Sequence, residues 1–278
     1  NCSEVVRLVP MLYSVCGTAQ SIAALNALES ALSFTPDREV QVARYLLLQG
    51  ENCRELVLRL LQQWLPETAA TNNLIKPFLC WHAGFKNLLG NPLQLCCKSS
   101  AQLREAFMEI PHHVTLLEGV LTDILGINPA KFESALESLI PDTDCSETII
   151  YRLMNQLQQR FSPVLLQHDL SVLPPLMSAD EIKQQELYLT AEDSRDYCAY
   201  PNWQGIYCET TAYTRMYQQP VVKRLLASGW HEMVIRLSCQ MIELSRIPQR
   251  LNEAATRRFV PSGNEVAKAK TKANADIG

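Results

Sequence analysis

From Pro36 to Pro66 the chain reads PDREVQVARYLLLQGENCRELVLRLLQQWLP, and this stretch decides the fold class. Proline is tolerated in a first helical turn and acids favour that end, so Pro36 and Asp37 open a helix. Val40, Ala43 and Leu47, then Leu56, Leu60 and Leu61, recur at helical spacing and form a buried stripe. Gly50 is a weak point within it, and Trp64-Leu65-Pro66 marks the stop. Upstream, Thr18 to Leu32 is rich in Ala, Leu, Gln and Glu, a composition that suits a second helix. Downstream, helices are expected over 73–89, 99–108, 113–125, 129–139 and 146–161. Pro92, Pro111, Gly126 to Pro129, and Pro141 punctuate them.

The remainder reads less regularly. Residues 162–177 carry Pro163, Pro174 and Pro175 and suggest an extended connection. Residues 195–217, rich in Tyr and Cys, suggest a loop or short strand. One long helix is expected from Pro220 to Ala255, and beyond Arg258 the composition turns polar and suggests a mobile tail. The class is therefore all-α or nearly so, with a short irregular or β segment near 195–215. One domain is expected over 1–258, followed by a flexible tail over 259–278.

At 278 residues and 47% hydrophobic content the chain can bury a sizeable core. A net charge of −4 supplies no global basic field, so nucleic acid is not an expected partner. No apolar run approaches the roughly 18–20 residues that span a bilayer, and Asn1-Cys2-Ser3-Glu4 has no signal-peptide pattern. The ten cysteines are scattered without C-x-x-C spacing, which argues against a zinc ribbon or a disulfide framework and for reduced thiols in a cytoplasmic protein.

The segment that carries chemistry is Ser14-Val15-Cys16-Gly17-Thr18-Ala19-Gln20-Ser21. A cysteine before glycine stands where a helix begins. Unpaired backbone N–H groups and the helix dipole favour a thiolate there, the form in which cysteine binds a soft metal. The alternative is a small cysteine packed in a tight turn.

Three segments in order resemble the nickel-iron hydrogenase large-subunit superfamily. In the amino-terminal C-G-x-C motif of that family, followed by a histidine four residues on, Cys16 and Gly17 match while Ala19 and Ala23 replace the second cysteine and the histidine. Arg44 to Pro66 is similar to the long helix that follows. Pro201 to Arg215 resembles the family's aromatic, glycine and E-x-G-P-L-A-R pattern, with Trp203, Gly205, Glu209 and Arg215 matching and Thr211-Ala212 in place of Gly-Pro. The family's closing D-P-C-x-x-C-x-x-H motif has no counterpart here, so one of four metal thiolates is present. Within the superfamily the chain most resembles accessory proteins of the HupK/HoxV type, which often carry C-G-T-A-Q in place of the ligand motif.

That resemblance implies a truncated large-subunit-like helical bundle and a non-catalytic assembly factor. It would transiently hold an iron fragment with cyanide and carbonyl ligands, without nickel, and its partners would be the hydrogenase large-subunit precursor and the general maturation complex. Cys16 would be the iron ligand and Gly17 would line the pocket. Cys208, directly before Glu209, would be a second ligand or a packing residue. Arg215 would donate to a cyanide nitrogen or pair with Glu209. The competing reading is a metal-free docking subunit of the same ancestry. Glu29 and Glu51 read as helix-face or capping residues, Cys96-Cys97 as two separate thiols, and His112-His113 as a loop or helix start.

Overall fold

The computed structural model of the chain describes residues 2–13, 15–65, 69–97, 101–138, 149–160, 200, 202–203, 206–209 and 211–256. Along these residues run α1 (Cys2–Leu12), α2 (Gly17–Ala31), α3 (Arg38–Arg59), α4 (Ala69–Leu89), α5 (Ala101–Leu125), α6 (Phe132–Ser138) and α7 (Ile149–Arg160). A two-stranded antiparallel hairpin follows, β1 (Asn202–Trp203) and β2 (Ile206–Tyr207), in which Asn202 pairs with Tyr207 and Trp203 with Ile206. The chain continues through α8 (Ala212–Met216), α9 (Pro220–Ala227), α10 (Glu232–Ser245) and α11 (Ile247–Thr256). The expected class, all-α or nearly so, is borne out. The expected extended connection over 162–177 and the tail over 259–278 lie outside the described residues.

The chain forms two compact units. One comprises residues 1–132, 148–153 and 244–261; the other comprises 133–147, 154–243 and 262–278. In the first, α2 packs on α1 and α3, α3 packs on α4 and α5, and α11 lies against α3 and α5. The Pro36–Pro66 stretch supplies the central helix of this unit. Asp37 is the N-cap of α3, and the Gln41 side chain donates to the Pro36 carbonyl at 2.8 Å. Val40, Ala43, Leu47, Leu56, Leu60 and Leu61 are all buried, as their spacing predicts. The helix ends in a π turn, Leu60–Trp64, whose last bond closes on Leu65.

Gly50 is a point of close approach, not a weakness. A Cβ placed on it would stand 3.2 Å from the Phe85 ring of α4, and the missing side chain is what lets that ring sit against α3. Charge also fastens this unit. Arg44 donates to both Glu29 oxygens at 2.7 and 2.8 Å and to the carbonyls of Pro92 and Gln94 at 3.1 Å each. Both side chains are buried, and the bidentate geometry with extra carbonyl partners is what a buried ion pair requires. It ties α2 to α3 and to the turn after α4.

Three expectations are corrected. The first concerns α5, which runs unbroken through Pro111, where a break between 99–108 and 113–125 was expected. Leu103, Ala106, Ile110, Val114, Leu117, Leu121 and Ile124 form one buried stripe across the proline. The six larger side chains of that stripe, at roughly 1.5–3 kcal/mol each, outweigh an interior proline at about 3 kcal/mol. The second concerns 220–255, expected as one helix and found as α9, α10 and α11. Gly229, at φ 72°, ends α9, and Pro248, which has no N–H to donate, sits at the second position of α11. Third, Ala212–Met216 is a short helix where loop or strand was expected. Thr211 Oγ1 accepts from Tyr213 N at 3.2 Å, and Thr214 Oγ1 accepts from Thr211 N at 3.0 Å, capping that turn reciprocally.

Candidate functional site

The Cys16 turn lies in the first unit, between α1 and α2. Cys16 is the N-cap of α2, and its thiol is free, half-buried and not used as a cap. One turn of α3 grips the main chain on both sides of it. Before the cysteine, Arg54 Nη2 donates to the Val15 carbonyl at 2.7 Å. After it, the Glu51 carboxylate accepts from Thr18 N at 2.7 Å and from Ala19 N at 2.9 Å. Glu51 and Arg54 are three residues apart and so share a helix face. Glu55 in turn accepts from the Arg54 Nε and Nη2 at 3.0 and 2.8 Å, which fixes the guanidinium.

This arrangement changes the electrostatic reasoning. The N–H groups expected to favour a thiolate are engaged by Glu51, which fills the anion position at the start of α2. The case for Cys16 therefore rests on its being the one side chain with a soft donor in a turn held rigid from both ends. Gly17 is buried beneath α1; a Cβ there would stand 3.3 Å from Pro10, so the glycine permits α1 to cross the turn.

Gly17 and Thr18 open onto a cleft of about 920 Å³ within this unit, and Ser21, Glu51, Arg54 and His82 also line it. Burial, and then the nearby Arg54 and Lys86 cations, lower the His82 pKa from its ordinary 6.5 to about 4, so the imidazole is neutral. The Ser21 hydroxyl is fully buried and has no hydrogen-bond partner among the described residues.

Cys208 and Arg215 belong to the second unit. The Cys208 thiol is free and half-buried, and Sγ donates to the Ile206 carbonyl at 3.2 Å. Arg215 does not pair with Glu209. It makes a bidentate pair with Glu243, at 2.7 Å on both oxygens, while Glu209 is held by Arg236, at 2.9 Å from Nη2. Arg236 also bonds Glu232 and lies over the Tyr213 ring at 5.3 Å, so each matched charge of this segment has a partner. Nearby Cys239 is buried, and its thiol is pushed up to about 12, chiefly by burial, which keeps it protonated. Cys53 of α3 is likewise raised by burial. Neither Cys96 nor Cys97 is in a disulfide.

Among the described residues, no three His, Cys, Asp or Glu side chains are grouped closely enough to hold a metal ion. None of their helices is long and apolar enough to cross a membrane. The structure adds Arg54, His82 and Ser21 to the candidates, and shows Glu51 capping a helix other than its own. Glu51 and Arg54 carried a signal in retrospect, since an acid and a base three residues apart share a face. That this face meets the Cys16 turn is a tertiary fact.

With the turn described, the chain can be set beside known proteins. The class it resembles is that of hydrogenase accessory proteins, and the expected resemblance is borne out over part of the chain. Over 56 residues it is 46% identical to the hydrogenase expression/formation protein HupV of Azotobacter chroococcum mcd 1, covering 20% of this chain and 16% of that protein. Over 59 residues it is 42% identical to the hydrogenase expression/formation protein HupK of Azotobacter vinelandii, covering 21% of this chain and 17% of that protein. The matches thus span about a sixth of each relative. No family model matches the chain. No solved structure matches it.

Proposed function

We propose that this chain is a non-catalytic assembly factor for nickel-iron hydrogenase that works in the cytoplasm. In this reading it carries an iron fragment bearing two cyanides and one carbonyl and passes it to the large-subunit precursor within the maturation complex. The observation that carries the proposal is the turn, in which a free cysteine thiol is presented on a main chain clamped by Arg54 and Glu51. The likeness to two hydrogenase expression/formation proteins supports the setting.

The iron fragment is cargo. Stable retention of a metal uses several protein ligands, whereas a single thiolate suits a group that brings most of its own ligands and has to leave again. On loading, Cys16 loses its thiol proton to solvent and forms the S–Fe bond. On transfer that bond breaks as the receiving protein supplies its own thiolate, and Cys16 is reprotonated. Cys208 is kept as a candidate second ligand, and Arg215, bound to Glu243, as a candidate donor to cyanide.

A second reading, a metal-free docking subunit, is favoured by the exposed apolar residues of α1 and its exit: Val5, Leu8, Met11, Leu12 and Val15. One experiment separates the two. Infrared spectra of protein purified without air from hydrogenase-producing cells should show carbonyl and cyanide bands that vanish in Cys16→Ala, with Cys208→Ala reporting on the second thiol. If folded wild-type protein from actively maturing cells shows no bands, the carrier reading fails and the docking subunit remains.

A further inference from the structure

The cleft beside the Cys16 turn is larger and more cationic than one iron fragment calls for. Arg7 of α1, Arg54 of α3 and Lys86 of α4 all line it, three helices contributing one cation each. Glu51, the acid of the cleft lining, is already engaged by two backbone N–H groups of α2. Arg54 is partly neutralised by Glu55, but Arg7 and Lys86 have no carboxylate partner among the described residues. Arg7 and Lys86 are exposed and solvated, and together they present a positive field to an incoming anion.

A second observation points the same way. The Ser21 hydroxyl, on the α2 wall of the cleft, is 1% exposed and lacks any hydrogen-bond partner among the described residues. Buried hydroxyls are nearly always satisfied, so an orphan at a cleft wall marks a place where an external acceptor or donor belongs. Tyr13, Phe85 and Leu93 add an apolar and aromatic patch to the wall, beside the amides of Asn87, Asn91 and Gln94. At about 920 Å³ the cleft falls in the size class of small-molecule sites, roughly 300–1,000 Å³, well beyond a bare inorganic ion.

We propose that this cleft binds a small organic anion, a phosphate or carboxylate head on an apolar or aromatic body. The head meets Arg7 and Lys86 at the mouth and reaches the Ser21 hydroxyl, and the body lies against Phe85 and Tyr13. His82, neutral and flanked by Arg54 and Lys86, offers one donor and one acceptor without adding charge. The proposal does not use the Cys16 thiol and stands apart from the iron-carrier reading.

The test titrates purified protein with phenyl phosphate, benzoate, inorganic phosphate and phenol, by calorimetry and by the His82 ring resonances. The expected result is saturable one-to-one binding of phenyl phosphate or benzoate, which tells the two heads apart. Phosphate or phenol alone should bind at least tenfold more weakly. The His82 signals should move on binding, because a nearby anion opposes the cations that depress its pKa. The Arg7→Gln/Lys86→Gln double variant should lose tenfold or more in affinity while keeping the wild-type circular dichroism. Cys16→Ala should bind as wild type even if it carries no iron. Binding that the double variant leaves unchanged, binding that follows charge alone irrespective of the aromatic body, or no saturable binding would overturn the proposal.

Discussion

Replacing Glu51 with Gln tests whether the Cys16 turn is held from α3. The substitution keeps the shape of the side chain but removes its charge and one of two acceptor oxygens. The native carboxylate accepts from Thr18 N and Ala19 N at 2.7 and 2.9 Å in a largely buried setting. A hydrogen bond to a charged group contributes about 1.5–3 kcal/mol, and a charge at a helix N-terminus adds about 0.3–1 kcal/mol at exposed sites and more where partly buried. One amide oxygen can still serve one N–H, so the expected loss is about 2–3 kcal/mol, and about 3 kcal/mol or more for Glu51→Ala. Because the chain forms two units, global melting can blur the effect. The sharper assay is amide hydrogen exchange at Thr18, Ala19 and Gln20, where a loss of 2 kcal/mol speeds exchange about thirtyfold. Alkylation of Cys16 should accelerate in parallel as the turn opens. Exchange at these amides within twofold of wild type, with Cys16 equally slow to alkylate, would refute the idea that α3 holds the turn.

Other substitutions probe the frame around it. Glu29→Gln leaves the buried Arg44 charge uncompensated, with three of its four acceptors, and should cost about 3–5 kcal/mol, read in urea unfolding of the first unit; a loss under 1 kcal/mol would contradict the buried-pair account. Gly50→Ala adds a Cβ at 3.2 Å from Phe85, and the resulting strain of about 1–3 kcal/mol should exceed the helix-propensity gain of about 1 kcal/mol, so the variant should melt lower than wild type. His82 should titrate at about 4 by NMR. Since the unfolded chain takes up that proton near 6.5 and the folded one does not, stability should fall as pH drops from about 6.5 towards 4, and His82→Gln should flatten that slope. A measured His82 pKa at or above 6.5 would contradict the burial and the cationic neighbours.

Periodicity made the helices legible where one face stays apolar over many turns. The α3 stripe from Val40 to Leu61 needed nothing but spacing, and Asp37 marked its start. Local punctuation misled where tertiary burial could overrule it, as at Pro111, whose cost is small beside the stripe it interrupts. It was under-read at Gly229 and Pro248, where continuing apolar spacing masked two stops. Residues 2–12 drew no prediction, yet they form α1 and cover Gly17. The site was legible as a cysteine at a helix start. What sequence could not show is who engages the helix start, because Glu51 lies 33 residues from Thr18 and the contact exists only once α3 has docked. The same limit applies to Arg215, whose partner Glu243 lies 28 residues on, while the nearer Glu209 is taken by Arg236.

The clamp on the Cys16 turn touches only main-chain atoms: the Val15 carbonyl and the N–H groups of Thr18 and Ala19. It is therefore indifferent to which side chains the turn displays. A socket held this way can exchange its contents without losing its shape, so ligands can be subtracted while the surrounding helices stay as they are. The reverse edit is equally open: cysteine at position 19 would be gripped by the same N–H bond to Glu51, making this chain a ready host in which to rebuild a two-thiolate centre one residue at a time.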